Sequence, residues 1–167
     1  IIRVAAAVLD MPIALFSLVD RDRQWFKSRL GLEVAETPRD LAFCAHAIVD
    51  PDHATMVVPD ASLDDRFADN PLVTGDPNIR FYAGQVVNSR EGLPLGTLCV
   101  IDRTPRQLTE AQLALLTDLG AMVEDELARQ EYQELEAALR ASEARFRHLF
   151  QHANDIITVI DANGGVF

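Results

Sequence analysis

The sequence is poor in lysine, in cysteine and in long apolar runs, and each shortage removes a class of function. Lys27 is its one lysine, so the basic side of the charge balance is almost all arginine. With 26 acidic against 15 basic residues the formal net charge is −11, a field that repels phosphate backbones and anionic lipid. Direct binding to DNA, RNA or a membrane is therefore not expected. No apolar run approaches the roughly 18 residues needed to span a bilayer, and no charged-then-apolar signal segment opens the chain. The cytoplasm is the expected compartment. The two cysteines, Cys44 and Cys99, sit among apolar neighbours, where a free thiol behaves as a small hydrophobe, and a structural disulfide is not expected.

Catalytic signatures are equally scarce. There is no Gly-rich phosphate loop and no Gly-x-Ser-x-Gly elbow. Cys44 and His46 are two apart, which on a helix points them about 200° apart, so they cannot share a proton or a metal. His53 falls in a turn and His148 and His152 near the end, a spacing unlike any zinc set. No catalytic residue and no metal site is expected.

What is present is an α+β pattern with enough apolar residues, 49%, for a sizeable core. Leu95, Thr97, Cys99 and Ile101 alternate with Gly96, Leu98, Val100 and Asp102 in a run with few solvent-facing positions, which reads as a central strand. Ile79 to Val87 pairs with it across the loop Asn88–Gly92. Ile13 to Val19 is a second interior strand, joined by the turn Asp20–Arg23 to a partner at Gln24 to Arg29. Trp25 and Phe26 on that partner are expected to pack in the core or against a second copy. Gly31 to Thr37 reads as irregular, Leu41 to Ile48 as a short helix, Thr55 to Val58 as a short strand, and Asp60 to Ala68 as a capped helical turn stopped at Asn70-Pro71.

Helical spacing also opens the chain, at Ile2, Ala5, Ala6 and Leu9, and the absence of an initiator Met suggests a piece of something longer. Thr109, three residues before Gln112, offers a capping box for a helix that persists to about Leu149. Its apolar stripe changes register between Leu127 and Leu135, as in a stutter, while acidic residues keep the other faces solvated. A two-stranded parallel coil is the expected arrangement of the later part. Ile156 to Ile160 then reads as a strand and Asp161–Gly164 as a turn, too little to bury an apolar face alone.

The order of particular words is more specific than the pattern. Pro12-Ile13-Ala14-Leu15, Trp25-Phe26-Lys27-Ser28, Phe43-Cys44-Ala45-His46-Ala47-Ile48, Val58-Pro59-Asp60-Ala61, Arg66-Phe67-Ala68-Asp69-Asn70-Pro71, Ile79 to Gly84 and Leu95 to Asp102 together resemble the GAF domain of bacterial multidomain signalling proteins. Ser142 to Phe150, with the strand and turn after it, resembles the opening of a PAS domain. The resemblance implies a GAF domain over 1–128, a linker or coiled-coil helix over 129–148, and an N-terminal PAS fragment over 149–167. It implies a central antiparallel sheet of five or six strands, helices from both ends of the domain on one face, and a roofed small-molecule pocket on the other. Output domains such as a histidine kinase, a diguanylate cyclase or a cyclic di-GMP phosphodiesterase are implied beyond Phe167, as in two-component or cyclic di-GMP signalling.

Departures from defined subfamilies narrow the ligand. The Asn-Lys-Phe-Asp-Glu constellation of cyclic-nucleotide-binding relatives cannot be assembled around Lys27, and neither cysteine lies where bilin-binding relatives attach their chromophore. Two cysteines in apolar context also fall short of the redox set of methionine-sulfoxide-reductase relatives. No cofactor is expected. For an unidentified small molecule, the candidate binding residues are Phe43, His46, Asp60, Phe67, Asn70, Arg80 and Tyr82. Arg80, inside an aromatic strand, must reach solvent, hold an anion or pair with an acid such as Asp60 or Asp69. The expected function is a non-catalytic regulatory module that senses a small molecule or partner and relays through a dimeric helix. The alternative is a ligand-free dimerisation scaffold whose cavity is filled by its own aromatics, and the third is thiol chemistry at Cys44 or Cys99.

Overall fold

The computed structural model describes residues 1–50 and 54–152, with side chains through 148. The expected strand at 156–160, the turn after it and the PAS-like piece lie outside the described residues. In chain order the elements are α1 (Ile2–Leu9), β1 (Ile13–Val19), β2 (Arg23–Leu30), β3 (Glu36–Pro38), α2 (Phe43–Ala47), β4 (Thr55–Val58), α3 (Pro71–Thr74), β5 (Phe81–Asn88), β6 (Pro94–Asp102) and α4 (Glu110–His152). The strands form one antiparallel sheet in the order β3-β2-β1-β6-β5-β4. β6 is central, as its near-continuous apolar run requires. Its Gly96 lies so close to the Ser17 main-chain carbonyl on β1 that a Cβ there would collide with backbone.

Alternation along the strands splits the interior into two cores. On one face Ala14, Phe16, Phe81, Ala83, Val87, Leu98 and Val100 pack under Ala5 and Leu9 of α1 and Leu116, Leu119 and Val123 of α4. On the other, Leu15, Phe26, Tyr82, Cys99 and Ile101 pack under Phe43 and Ala47 of α2, Phe67, and Val73 of α3. The chain divides after Ala128 into two units, with the first 19 residues of α4 in the unit Ile1–Ala128 and the remainder in the second.

Three local expectations change. The segment read as irregular contributes β3, where Thr37 pairs with Gln24 and Glu36 with Trp25, so the sheet gains an edge strand too short to show alternation. Asp60 to Ala68 folds as successive turns instead of a helical turn. Asn70-Pro71, expected as a stop, is a start: Asn70 Oδ1 accepts from Leu72 N at 2.9 Å and Pro71, lacking an N–H, opens α3. Trp25, on the outward side of β2, is 41% exposed and not part of the core, whereas Phe26 is buried. The Thr109–Gln112 capping box forms in both directions, with Thr109 N donating to Gln112 Oε1 at 3.0 Å and Gln112 N to Thr109 Oγ1 at 3.3 Å.

Candidate functional site

Between the sheet and the α2–α3 roof lies a cavity of about 140 Å³. Ile13, Leu15, Tyr82 and Ile101 form its floor, Phe26 a side wall, and Phe43, Cys44 and Leu72 the roof. Of the lining residues only Val34 and Asp76 are exposed, so the mouth lies between them. Arginine, lysine and histidine are absent from the lining, leaving Asp76 as its one formal charge at neutral pH besides any on the Cys44 thiol.

Two polar side chains break the apolar wall. Gln24 is 4% exposed and lines the cavity, because β2 alternates Gln24 and Phe26 inward against Trp25 outward. Its carboxamide has no hydrogen-bond partner among the described residues. Thr37, its cross-strand neighbour on β3, also lines the cavity, and its Oγ1 is buried without a partner. Behind the roof the polar groups are, by contrast, saturated. Cys44 Sγ accepts from Thr97 Oγ1 at 2.8 Å, Ser17 Oγ at 3.2 Å and Tyr82 Oη at 3.3 Å, and stands 3.9 Å from Cys99 Sγ. Burial raises the Cys44 thiol, but the bonds from Cys99, Ser17, Thr97 and Tyr82 outweigh it and bring it down to about 6. Cys99 is pushed up by its bond to Cys44 and by burial, and Tyr82 by burial and the neighbouring thiols. Both thiols are free, and among the described residues no group of three His, Cys, Asp or Glu is placed to hold a metal.

The sequence and the fold of this chain are matched by known proteins. Residues 1–127 match the model of the GAF domain. The chain belongs to the GAF domain family. Over 124 residues it is 48% identical to a cyclic di-GMP phosphodiesterase of Pseudomonas aeruginosa, a match covering 74% of this chain and 21% of that protein's length. Among solved structures, the GAF domain of an Acinetobacter phosphoenolpyruvate-protein phosphotransferase superposes with a TM-score of 0.62 at 17% identity, covering 80% of each chain. The free methionine-R-sulfoxide reductase of Neisseria meningitidis, in complex with its substrate, gives a TM-score of 0.61 at 21% identity, covering 78% of this chain and 76% of the other. At those identities the two structures speak for the fold alone.

In this GAF domain the seven expected site residues scatter. Phe43 and Tyr82 line the cavity, their rings 5.2 Å apart. Phe67 is fully buried behind them, stacked on Phe43 at 4.0 Å. Asn70 is structural, capping α3 and donating from Nδ2 to Leu41 O at 3.0 Å. His46 lies on the outer side of α2, edge-on to Phe67 at 4.9 Å, and lines a surface groove and not the roofed cavity. Burial, followed by the Arg66 charge, holds its pKa down. Asp60 is spent on an Asx turn with Ser62, whose hydroxyl donates to it at 2.6 Å. Arg80 Nη1 donates to the carbonyls of Val73 at 2.9 Å and Ile79 at 3.0 Å rather than to Asp60 or Asp69. It is not on the lining of the roofed cavity; it is a strut between the start of β5 and α3, and after the bonds from Ser62 its charge helps hold the Asp60 carboxyl below its ordinary value. Gln24 and Thr37 were missed, and Gln24 had a readable signal: a polar residue in phase with buried Phe26.

The GAF domain's cavity wall is also tied to the segment that leads into α4. Pro77, a lining residue, accepts at its carbonyl from Arg103 Nε at 3.0 Å. The lead-in to α4 is fixed further by Asp102, whose Oδ2 receives Arg106 Nε at 2.7 Å and Nη2 at 2.6 Å and whose Oδ1 receives Thr104 N at 3.1 Å. Arg106 N donates to Pro59 O at 3.1 Å. The lead-in is thus pinned at three points, the Pro77 carbonyl, the Asp102 carboxylate and the Pro59 carbonyl.

Proposed function

We propose that this GAF domain is a non-catalytic sensory module that takes a small molecule into the roofed cavity and relays its occupancy through α4 of a dimer. The observation that carries the reading is the bond from Arg103 to the Pro77 carbonyl, which joins a cavity wall directly to the lead-in of α4. A ligand that binds one arrangement of Pro77 better than another biases the lead-in by that difference in affinity. The dimer rests on Tyr132, Leu135 and Leu139, exposed at spacings of three and four on α4 as a two-stranded seam requires. The activity of the Pseudomonas aeruginosa relative points to cyclic di-GMP turnover, in the cytoplasm, as the output, with the PAS-like segment after residue 148 as the next domain in line.

A second reading, the ligand-free dimerisation scaffold, draws on the stacked Phe43 and Phe67 with Tyr82 tilted against them, which fill part of the roofed side themselves. Backbone amide exchange of residues 103–127 with and without a bound small molecule separates the two. The sensory reading expects slowed exchange there on binding. Unchanged exchange under saturation would leave only the scaffold. Independently, Leu135→Glu with Leu139→Glu should convert a sedimenting dimer to monomer, and a wild-type chain that is monomeric would refute the dimeric relay.

A further inference from the structure

The cavity wall carries a chemical description of its occupant. Its volume, about 140 Å³, matches the size of an apolar cavity known to hold a single benzene ring. Phe26, Phe43, Tyr82, Ile13 and Leu15 would surround such a ring with apolar contacts. At one edge stand the Thr37 hydroxyl, buried without a partner, and the Gln24 carboxamide, which opens onto the cavity without a partner among the described residues, held side by side by the β2–β3 pairing. A buried polar group left unpaired costs about 1–3 kcal/mol, so a partner that supplies the missing bonds recovers that penalty. A carboxamide has one acceptor oxygen and two donor hydrogens, and another carboxamide or a lactam answers it with a reciprocal pair of bonds. The Thr37 hydroxyl can donate to or accept from the same edge. An anion finds no cation on the wall and meets the Asp76 carboxylate at the mouth.

We propose that the cavity takes an uncharged molecule about one ring in size with an amide or lactam edge, and that Gln24 and Thr37 read that edge. The inference rests on the cavity being a ligand site and adds the class of ligand. It excludes cyclic di-GMP as the occupant on both size and charge, which separates what the module senses from the cyclic di-GMP output proposed above.

Three probes that share one benzene ring test it by calorimetry or ligand-observed NMR on the 167-residue chain: benzamide, its isostere benzoate, and toluene. Benzamide is expected to bind at least about tenfold more tightly than either of the others, the order of one hydrogen-bonded pair gained or one charge buried. Gln24→Leu should erase that preference while keeping toluene binding, which also reports that the variant is folded, and Thr37→Val should weaken it in part. Benzoate or toluene binding as well as benzamide, or a Gln24→Leu variant that still prefers benzamide, overturns the inference and leaves the cavity a ligand site of another specificity. Binding by none of the three up to their solubility overturns the ligand-site reading itself.

Discussion

Two glutamines, one on each face of the sheet, are buried to nearly the same degree and do opposite things. Gln85 on β5 is 7% exposed beneath α4, with Oε1 accepting from Thr55 Oγ1 and from Thr117 Oγ1 at 3.1 Å and Nε2 donating to Val86 O at 3.2 Å. Gly120 stands over it in α4, where a Cβ would run into the Gln85 side chain. Gln24 on β2 is 4% exposed beneath the other roof and has none of this. On the helix-covered face a polar side chain has been absorbed into the architecture, joining β4 to α4. On the roofed face the same side chain has been left open. Burial alone does not single out a polar side chain; a polar side chain left without a partner calls for an explanation, and the ligand proposed above is one.

Substitutions can break this contrast, and the largest effect belongs to the helix-covered face. Leu116, fully buried between α4 and the sheet, should cost about 2–5 kcal/mol as Leu116→Ala in urea unfolding. A cost below about 1 kcal/mol would mean that this face is not the packed one. Gln85→Leu removes the acceptor for Thr55 and Thr117 and should cost about 1–3 kcal/mol by the same measurement. The lead-in should show itself through pH. Burial raises the Asp102 carboxyl, but the bonds from Arg106 and Thr104 outweigh it and hold it below its ordinary value. Its contribution is therefore complete above that ordinary value and is lost as pH falls through the lower, folded one. With Arg106 partly exposed, about 1 kcal/mol should disappear on acidification from about pH 5 to about pH 2, and Asp102→Asn should flatten that loss. The smallest effect is the sharpest. Gln24→Leu should lie within about 0.5 kcal/mol of the parent in thermal unfolding, or be stabilised, because it deletes an unpaired group. A penalty as large as that of Gln85→Leu would erase the distinction between the two faces.

Much of this fold is legible along the chain because strand alternation and helix caps are local. The β1, β4, β5 and β6 runs, the α1 and α4 stripes and the Thr109–Gln112 box can each be read from neighbours within a few residues. β3 cannot, since three residues are too few to display a period, and its existence depends on pairing with Gln24 and Trp25. Asn70-Pro71 is a case of correct chemistry with the wrong sign: the cap and the missing N–H suit a helix beginning as well as a helix ending. The candidate site was read partially. Phe43 and Tyr82 are where aromatic residues on roof and floor should be, but Asp60, Asn70 and Arg80 found partners in turns, caps and main-chain carbonyls. Polarity in a sequence advertises the need for a hydrogen bond without saying who answers it.

The chain by itself determined the family, the antiparallel sheet with its central β6, the assignment of each strand residue to one face or the other, and the acidic balance of charge. These follow from periods of two and 3.6 residues and from charge, which are written into consecutive positions. Only the tertiary structure decided which polar groups remain open. Whether Gln24 is answered depends on β3, α2, α3 and β5 arriving around it from distant parts of the chain, and they close the wall without offering it a partner.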